Sequence, residues 1–309
     1  MPTPTFSEPS DARTLSASQT AARLPYPALA DELKRLLGDA SVQVPPRLVL
    51  PLGAGGCLFV MPAQDQTTAI TKLITFTPNN AGTGRATIQG DVVVFDIATG
   101  QRQWILDGPT VTARRTAAVS LLAAQTLAPN RDGPLLIVGA GAQGLSHLEA
   151  FVQGLGVREV WIASRSAHSA NALAGHARSL GATARVVDDP NAALAHCPLV
   201  VTCTPASQAV LQATPRADCF LAAVGAFTAT MLELSAGLCQ HFAAQGTVVL
   251  DTVDARHEAG DLLLAGLDVH QFVTLQEVLS QPLAHRAGPV LFKSCGWAGW
   301  DLAAARTVR

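Results

Sequence analysis

The stretch Leu135-Leu136-Ile137-Val138-Gly139-Ala140-Gly141-Ala142-Gln143-Gly144 joins a continuous apolar run to three glycines in the pattern G-x-G-x-x-G. The apolar run predicts a buried strand, and the amphipathic pattern after the glycines predicts a helix that Gly156 ends. A second apolar run, Glu159 to Ala163, follows, so that strand, turn, helix and strand lie within about 30 residues. This order favours a dinucleotide-binding turn over a glycine-rich turn that only packs a helix on a strand.

Each glycine has a physical role in such a turn. Gly139 permits a sharp turn, Gly141 lets the backbone approach a pyrophosphate, and Gly144 lets the helix pack on the strand. The N–H groups at the helix N-terminus and the positive end of the helix dipole then favour an anion. We therefore expect the cofactor to bind at Gly139, Gly141, Ala142, Gln143 and Gly144.

The residues after the second strand indicate which dinucleotide binds. NAD-specific folds carry an acidic residue about 20 residues after the glycines, whereas this chain has Ser164, Arg165 and Ser166. Arg165 can pair with a ribose 2′-phosphate and stack on the adenine, while the serines offer hydroxyl donors. The alternative is a solvated arginine at the start of the next helix. The sequence predicts NADPH as the cofactor, with NADH as a weaker substitute.

Composition excludes several classes of partner. The chain has 309 residues, 49% of them apolar and 14% charged, with a formal net charge of -2. No excess of basic residues indicates a nucleic acid or an anionic membrane as partner, and no apolar run approaches the ~18 residues of a membrane span. Residues 1–25 lack the apolar segment of a secretory signal, so a cytoplasmic location is expected. The six cysteines form no C-x-x-C pair, so we expect reduced thiols and no metal site.

Strands and helices continue to alternate after the glycine turn, which predicts an α/β fold with a doubly wound parallel Rossmann sheet. Residues 1–120 are organised differently. After a helix from Tyr26 to Leu37, short strands alternate with turn signals, and Ala98-Thr99-Gly100-Gln101 predicts a hairpin turn. We therefore predict a second, α+β substrate domain with an antiparallel sheet, joined to the Rossmann unit by a helix from Thr112 to Leu127.

Short motifs along nearly the whole chain match, in the same order, those of a known family. The N-terminal motifs are Arg47, Met61-Pro62, Lys72, Gly90, Thr99-Gly100, Asp107-Gly108, Thr110, Thr112 and Arg115-Thr116-Ala117-Ala118. The later motifs are Thr202-Cys203-Thr204, Val224-Gly225, Glu233-Leu234, Val253-Asp254, Glu258-Ala259-Gly260-Asp261, Lys293-Ser294-Cys295-Gly296 and Asp301-Leu302-Ala303-Ala304. No single motif is specific, but together they resemble the ornithine cyclodeaminase/μ-crystallin family.

The resemblance implies a homodimer in which the N-terminal sheet and a C-terminal return form one domain. We expect the substrate-binding and dimerisation domain to comprise residues 1–120 plus 290–309. The NADP-binding Rossmann domain is expected to comprise residues 121–289. The resemblance also implies a further set of cofactor-binding residues, namely Thr112, Thr202, Thr204, Val224, Gly225 and Ser294.

In that family the counterparts of Arg47, Lys72 and Arg115 line the substrate pocket and hold an amino-acid carboxylate, which an arginine fork binds bidentately. Taken alone, Arg47 could be a turn residue and Arg115 a helix-face arginine. Lys72 stands between strand hydrophobes, so it either points to solvent at a strand edge or points inward and needs a partner. An inward Lys72 could share the carboxylate or protonate a substrate nitrogen, and the sequence leaves both roles open. Lys72 and Arg115 are the expected catalytic residues.

Phe227 departs from the cyclodeaminase pattern. Ornithine cyclodeaminases carry an aspartate at the matching position, where it handles the amine and the attacking water, and a phenyl ring can do neither. An apolar ring beside the nicotinamide suits a reductase that excludes water from hydride transfer, although Phe227 could also be only a core aromatic. We therefore expect Phe227 to line the substrate site and deamination to be absent.

Family members without that aspartate are often reductases of cyclic imino acids. The resemblance thus implies NADPH-dependent reduction of Δ1-pyrroline-2-carboxylate to L-proline and of Δ1-piperideine-2-carboxylate to L-pipecolate, a ketimine reductase activity. The alternatives on the same scaffold are an ornithine cyclodeaminase, an alanine dehydrogenase and a hydroxyproline dehydratase. A non-catalytic, NADPH-dependent ligand-binding protein of the μ-crystallin type is a further alternative, since a fold does not fix a function.

Overall fold

Two units make up the described part of the chain. The computed structural model describes residues 13–80, 83–281 and 288–309. Unit 1 comprises the described parts of Met1–Pro25, Asp39–Thr112 and Ala298–Arg309. Unit 2 comprises Tyr26–Gly38 and the described part of Ala113–Trp297. No helix among the described residues is both long enough and apolar enough to cross a membrane.

The strands and helices have the following bounds. The strands are β1 (Arg13–Thr14), β2 (Leu48–Pro51), β3 (Cys57–Gln64), β4 (Thr68–Phe76), β5 (Ile88–Asp96), β6 (Arg102–Asp107), β7 (Leu135–Val138), β8 (Glu159–Ala163), β9 (Thr183–Val186), β10 (Leu199–Thr202), β11 (Phe220–Ala223), β12 (Thr247–Leu250), β13 (Val273–Thr274) and β14 (Val290–Lys293). The helices are α1 (Ala17–Ala22), α2 (Tyr26–Leu37), α3 (Gly108–Leu127), α4 (Ala142–Leu155), α5 (Ala167–Ser179), α6 (Pro190–Leu194), α7 (Ala236–Gln245), α8 (Gly260–Leu264), α9 (Leu275–Ser280) and α10 (Ala298–Val308). Short 3₁₀ turns occur at Gly53–Gly55, Pro78–Asn80, Val253–His257 and Val269–Gln271.

Unit 1 is built on a six-stranded sheet with the order β1-β6-β5-β4-β3-β2. Neighbours from β2 to β6 are antiparallel, and β1 joins β6 in parallel. Along β4 every second side chain is buried, which places Ile70, Lys72 and Ile74 on one face of the strand. Helix α10 packs against β3 and β4. The predicted antiparallel sheet is confirmed.

Unit 2 is built on an eight-stranded parallel sheet with the order β13-β12-β14-β11-β10-β7-β8-β9. The chain runs from β7 through β8 to β9 and then returns to β10 on the other side of β7. In open α/β sheets ligands bind outside the carboxyl ends of the strands, where the strand order reverses in this way. The predicted doubly wound sheet is confirmed, and the turn at Gly139–Gly144 follows β7 at the reversal point.

The domain boundaries differ from the expected ones. Residues 290–309 were expected in the substrate domain. The strand Val290–Lys293 instead pairs with β11 and β12 in the parallel sheet, and the last segment of unit 1 begins only at Ala298. Helix α2 belongs to unit 2, where the Tyr26 hydroxyl donates to Glu149 on α4. The boundary between the units within α3 follows Thr112 rather than residue 120. Residues 1–12, 81–82 and 282–287 of the expected domains lie outside the described residues.

Candidate functional site

The glycine turn after β7 has the backbone geometry of a tight strand-to-helix connection. Gly139 has a φ of 113°, and a Cβ there would lie 2.8 Å from the carbonyl oxygen of Cys203. A Cβ on Gly144 would lie 2.1 Å from the Gly139 carbonyl oxygen, so only glycine allows this approach of helix to strand. At Gly141, in contrast, a Cβ would meet no described atom within 4 Å. The space next to Gly141 is therefore open, and a side chain at this position would fill it.

Helix α4 presents its N-terminus at this turn. Gly141 is the N-cap residue, and a glycine offers no side-chain oxygen to the first N–H groups of the helix. Gly141 and Ala142 are exposed, and Gln143 is half-buried. Gly156 ends the helix in the left-handed conformation, with a φ of 72°. Exposed N–H groups at the end of a 14-residue helix fit a pyrophosphate, so these residues suit the phosphates of a dinucleotide.

The neighbouring strand β8 ends in the three residues that bear on nucleotide choice. Arg165 and Ser166 are exposed and Ser164 is half-buried. Ser166 is the N-cap residue of α5, and its side chain accepts a hydrogen bond from the Ser169 backbone N–H at 3.2 Å. This end of β8 lies beside the glycine turn, because β7 and β8 are paired neighbours.

A buried carboxylate that stands in a predicted motif but had no predicted role lies beyond the ends of β10 and β11. Glu233 Oε1 accepts hydrogen bonds from the Thr204 backbone N–H at 2.6 Å and from the Thr204 hydroxyl at 2.8 Å. Its Oε2 accepts from the Thr202 hydroxyl at 3.0 Å, from Gly225 N–H at 2.7 Å and from Ala226 N–H at 3.3 Å. Burial raises the pKa of Glu233, while Lys293 and the hydrogen bonds from Thr204 act to lower it.

Glu233 therefore changes the interpretation of three predicted cofactor residues. Thr202 is fully buried and its hydroxyl donates to Glu233, so it has no exposed surface for the direct cofactor contact that the sequence predicted. Thr204 and Gly225 are half-buried, whereas Val224 is 8% exposed. A Cβ on Gly225 would lie 2.6 Å from Glu233 Oε1, so glycine permits the close approach. The signal in the sequence was an acid within the apolar run Met231-Leu232-Glu233-Leu234, which is costly to bury without donors.

A second carboxylate and a lysine complete this buried cluster. Asp261 Oδ1 accepts from the backbone N–H groups of Glu233 at 2.6 Å and Leu234 at 2.9 Å. Lys293 Nζ lies 2.7 Å from Asp261 Oδ2 and donates to the Ala226 carbonyl oxygen. Burial acts to lower the pKa of Lys293, but Asp261 raises it above its usual value. The cluster fixes the peptide group directly before Phe227, which is itself half-buried.

Arg115 lies against a loop that a third buried carboxylate holds. Asp251 Oδ2 accepts from the Ser294 hydroxyl at 2.8 Å, Cys295 N–H at 3.0 Å and Gly296 N–H at 2.9 Å. Gly296 has a φ of 90°, and a Cβ there would lie 3.3 Å from both terminal nitrogens of Arg115. Arg115 is only 6% exposed, so it is not a solvated helix-face arginine. Ser294 is 3% exposed and its hydroxyl donates inward, which leaves little of it for the predicted cofactor contact.

The remaining predicted residues belong to unit 1. Lys72 points inward, so the solvent-facing alternative was wrong, and its Nζ lies 2.7 Å from Asp301 Oδ2 on α10. Lys72 is 1% and Asp301 0% exposed. Arg47 is half-buried and directly precedes β2, and Thr112 is half-buried within α3. Substrate roles were predicted for Lys72 from the sequence, but Asp301 was not identified as its partner.

A buried histidine links the glycine turn to α3. His147 Nδ1 lies 2.7 Å from the Gln143 carbonyl oxygen, and its Nε2 lies 2.9 Å from the Ser120 hydroxyl. Burial lowers the pKa of His147 to about 4. A neutral imidazole suits both contacts, since one ring nitrogen donates to the carbonyl while the other accepts from the hydroxyl.

Comparison with known proteins identifies the family. The model of the ornithine cyclodeaminase/mu-crystallin family matches residues 17–309. The chain is 40% identical over 297 residues to Delta(1)-pyrroline-2-carboxylate reductase 1 of Burkholderia multivorans, covering 95% of this chain and 94% of the relative. The chain belongs to this family. The predicted membership is thus confirmed, and the chain is an oxidoreductase, the class of its reductase relatives.

A further relative and a solved structure extend the comparison. The ketimine reductase mu-crystallin of Mus musculus is 34% identical over 277 residues, covering 87% of this chain and 85% of that protein. A solved structure of Thermococcus litoralis Delta(1)-pyrroline-2-carboxylate reductase in complex with NADH and L-proline has a TM-score of 0.82 to this chain. It is 20% identical and covers 95% of this chain and 92% of that one, so the two proteins share a fold.

Proposed function

We propose that this family member reduces the C=N bond of cyclic imino acids with NADPH, converting Δ1-pyrroline-2-carboxylate to L-proline and Δ1-piperideine-2-carboxylate to L-pipecolate. The observation that carries the proposal is Phe227 on a loop fixed by buried hydrogen bonds, where cyclodeaminases have an aspartate. A phenyl ring supplies no base to activate water for deamination. The reductase names of the relatives support the same reaction.

The chain's own residues bind the substrate and exclude water. When bound, a reduced nicotinamide supplies the hydride. Arg115 offers a guanidinium fork that suits the substrate carboxylate, and its burial strengthens that charge-assisted contact. Phe227 presents an apolar ring that keeps water from the reacting carbon. Arg47 and Lys72 remain predicted substrate-binding residues, and the Lys72 ammonium remains the candidate that holds a proton for the substrate nitrogen.

NADPH is the proposed form of the cofactor because of the residues that follow β8. Arg165 is exposed there and can pair bidentately with a 2′-phosphate, and no carboxylate in Ser164-Arg165-Ser166 would repel that group. The Ser166 hydroxyl oxygen accepts from Ser169, so its own proton can point to a phosphate oxygen. Solved structures with this fold hold NADH or NAD+, which supports a nicotinamide cofactor in general.

A paired assay tests the function. Purified protein should oxidise NADPH when given Δ1-pyrroline-2-carboxylate, followed by the loss of NADPH absorbance. The same preparation given L-ornithine and NAD+ or NADP+ should release no ammonia above background. Conversion of ornithine to proline at a rate comparable to imine reduction would refute the reductase assignment. Binding of NADPH and imino acid without turnover would instead indicate a ligand-binding protein.

We also propose a homodimer, because unit 1 has an apolar edge. All four residues of the edge strand β2 are exposed, and Leu48, Val49 and Leu50 are 55%, 46% and 50% exposed. Such an edge invites pairing unless another surface covers it. A second copy is the occupant that the family resemblance implies. Leu50→Lys should shift the sedimentation of the chain from dimer to monomer, whereas Ile97→Lys, at an exposed turn residue, should not.

A further inference from the structure

Glu233 receives hydrogen bonds from both loops that follow the central strands β10 and β11. Thr202 is the last residue of β10 and Thr204 lies in the loop after it, whereas Gly225 and Ala226 lie in the loop after β11. Both loops lie at the carboxyl edge of the parallel sheet, next to β7 and its glycine turn, where such sheets bind ligands. Glu233 itself is fully buried, so it holds these loops without reaching a ligand.

We propose that Glu233 is a positioning residue that sets the nicotinamide side of the cofactor site by tying these two loops together. The inference rests on the proposed function, because it assumes a nicotinamide dinucleotide on the glycine turn. The turn itself has contacts that involve neither loop, since the Gly139 backbone N–H donates to the Ala163 carbonyl oxygen at 2.9 Å and Gly144 lies close to the Gly139 carbonyl oxygen. Loss of Glu233 hydrogen bonds should therefore disturb the nicotinamide half of the site and spare the nucleotide half.

The hydrogen-bond pattern makes Glu233→Gln a sharp probe. Each carboxylate oxygen accepts at least one backbone N–H, from Thr204 at Oε1 and from Gly225 and Ala226 at Oε2. A glutamine has one acceptor oxygen, so whichever way its amide points, its NH₂ group faces a backbone N–H that has lost its acceptor. Leaving a buried N–H group without its acceptor is costly, so one of the two loops must shift.

Glu277 provides a matched control. It also accepts hydrogen bonds from a backbone N–H and a threonine hydroxyl, both of Thr274, at 2.7 Å and 3.0 Å. Both reach the same oxygen, Oε2, so a glutamine can satisfy them with its single carbonyl oxygen. Glu277 lies in the capping box of α9, next to the edge strand β13. Glu277→Gln therefore repeats the chemical change without the conflict.

The test measures binding of NADPH and of 2′-phospho-ADP-ribose, which is NADPH without its nicotinamide, to the full chain and both variants. We expect Glu233→Gln to weaken NADPH binding by about tenfold and to change binding of 2′-phospho-ADP-ribose by less than about twofold. Glu277→Gln should leave both dissociation constants unchanged. A variant that is merely destabilised would lose affinity for both ligands, so equal losses would overturn the proposal.

Two further outcomes keep the inference separate from the proposed function. Wild-type protein that binds neither NADPH nor NADH would refute the proposed function and this inference together. Wild-type protein that binds NADPH no better than Glu233→Gln would overturn the inference alone. Should Glu233→Gln fail to fold, Thr202→Val provides the test. Thr202 is fully buried, and valine has a similar shape but lacks the hydroxyl that donates to Glu233. This substitution should weaken NADPH binding by about threefold, and unchanged binding would overturn the proposal.

Discussion

Lys72 and Asp301 form an ion pair in which Nζ lies 2.7 Å from Oδ2, with both side chains almost wholly removed from solvent. The lysine is on β4 and the aspartate is on α10, the last helix of the chain. The C-terminal helix thus supplies the carboxylate that balances a charge on the sheet of unit 1. A buried ion pair is costly to break from one side, because the other charge is then left without compensation.

Asp301→Asn should lower the free energy of unfolding by about 3–5 kcal/mol, since it leaves the Lys72 ammonium buried without its counter-charge. The double variant Lys72→Met/Asp301→Leu should regain most of that stability, because neither charge remains. Urea unfolding of the three proteins measures both effects. Arg35→Gln, which breaks the more exposed Arg35–Glu32 pair, serves as the control and should cost less than about 1 kcal/mol. If Lys72 acts on the substrate, the double variant is folded and still has a strongly reduced kcat.

Gly141→Val should abolish NADPH binding while the melting temperature of the cofactor-free chain stays unchanged, because the added side chain points into open space. Gly144→Ala should instead lower the melting temperature of the cofactor-free chain, because its Cβ would lie 2.1 Å from the Gly139 carbonyl oxygen. NADPH fluorescence and a thermal melt measure the two effects. Tight NADPH binding by Gly141→Val would contradict the pyrophosphate assignment.

Arg165→Ala should raise the KM for NADPH and leave the kinetics with NADH nearly unchanged, because only NADPH carries the 2′-phosphate that the guanidinium can bind. Arg158→Ala is the matched control, since Arg158 is an exposed arginine just before the amino end of the same strand, β8. Steady-state kinetics with both cofactors decide the matter. An equal loss with NADPH and NADH would mean that Arg165 does not contact the 2′-phosphate.

Arg115→Ala and Arg47→Ala should each reduce kcat/KM for Δ1-pyrroline-2-carboxylate by at least about 100-fold, because losing a desolvated charge-assisted pair costs on the order of 2–5 kcal/mol. Arg102→Ala, at an exposed position on β6, should have no comparable effect. Initial rates at varied imino acid concentration give the ratio. A small change in both variants would place the carboxylate contact on other residues.

Acidification should destabilise the chain through His147. Burial lowers its folded-state pKa to about 4, below the ordinary value of about 6.5, so the unfolded state binds the proton more readily. Stability from this residue is therefore fully present above pH ~6.5 and is lost as the pH falls towards ~4, by about 3 kcal/mol in total. Urea unfolding at several pH values in this range should show that the free energy of unfolding changes less steeply with pH in His147→Gln than in the unmodified chain. An identical dependence of the free energy of unfolding on pH in both proteins would assign the acid sensitivity to other groups.

Local sequence determined the glycine turn and the elements around it. The apolar run Leu135–Val138 forms β7 with every residue buried, and Gly156 ends α4 as predicted. The helix predicted from Tyr26 to Leu37 has those bounds in the structure. These features depend on hydrophobic period and on the backbone freedom of glycine, which are properties of neighbouring residues and can be read along the chain.

The tertiary structure decided which distant residues meet. Glu233, Asp261 and Asp301 belong to motifs that the sequence analysis noted, yet none received a role, because a carboxylate shows its function only through the donors and cations that surround it. The end of β10 and the loops after β10 and β11 bring together the donors of the five hydrogen bonds that Glu233 accepts, and α10 carries Asp301 to Lys72. In the same way Val290–Lys293 reads only as an apolar strand, and its place between β11 and β12 follows from pairing across the sheet. Local periodicity determined the elements themselves, whereas the burial and pairing of charges depended on contacts between residues far apart in sequence.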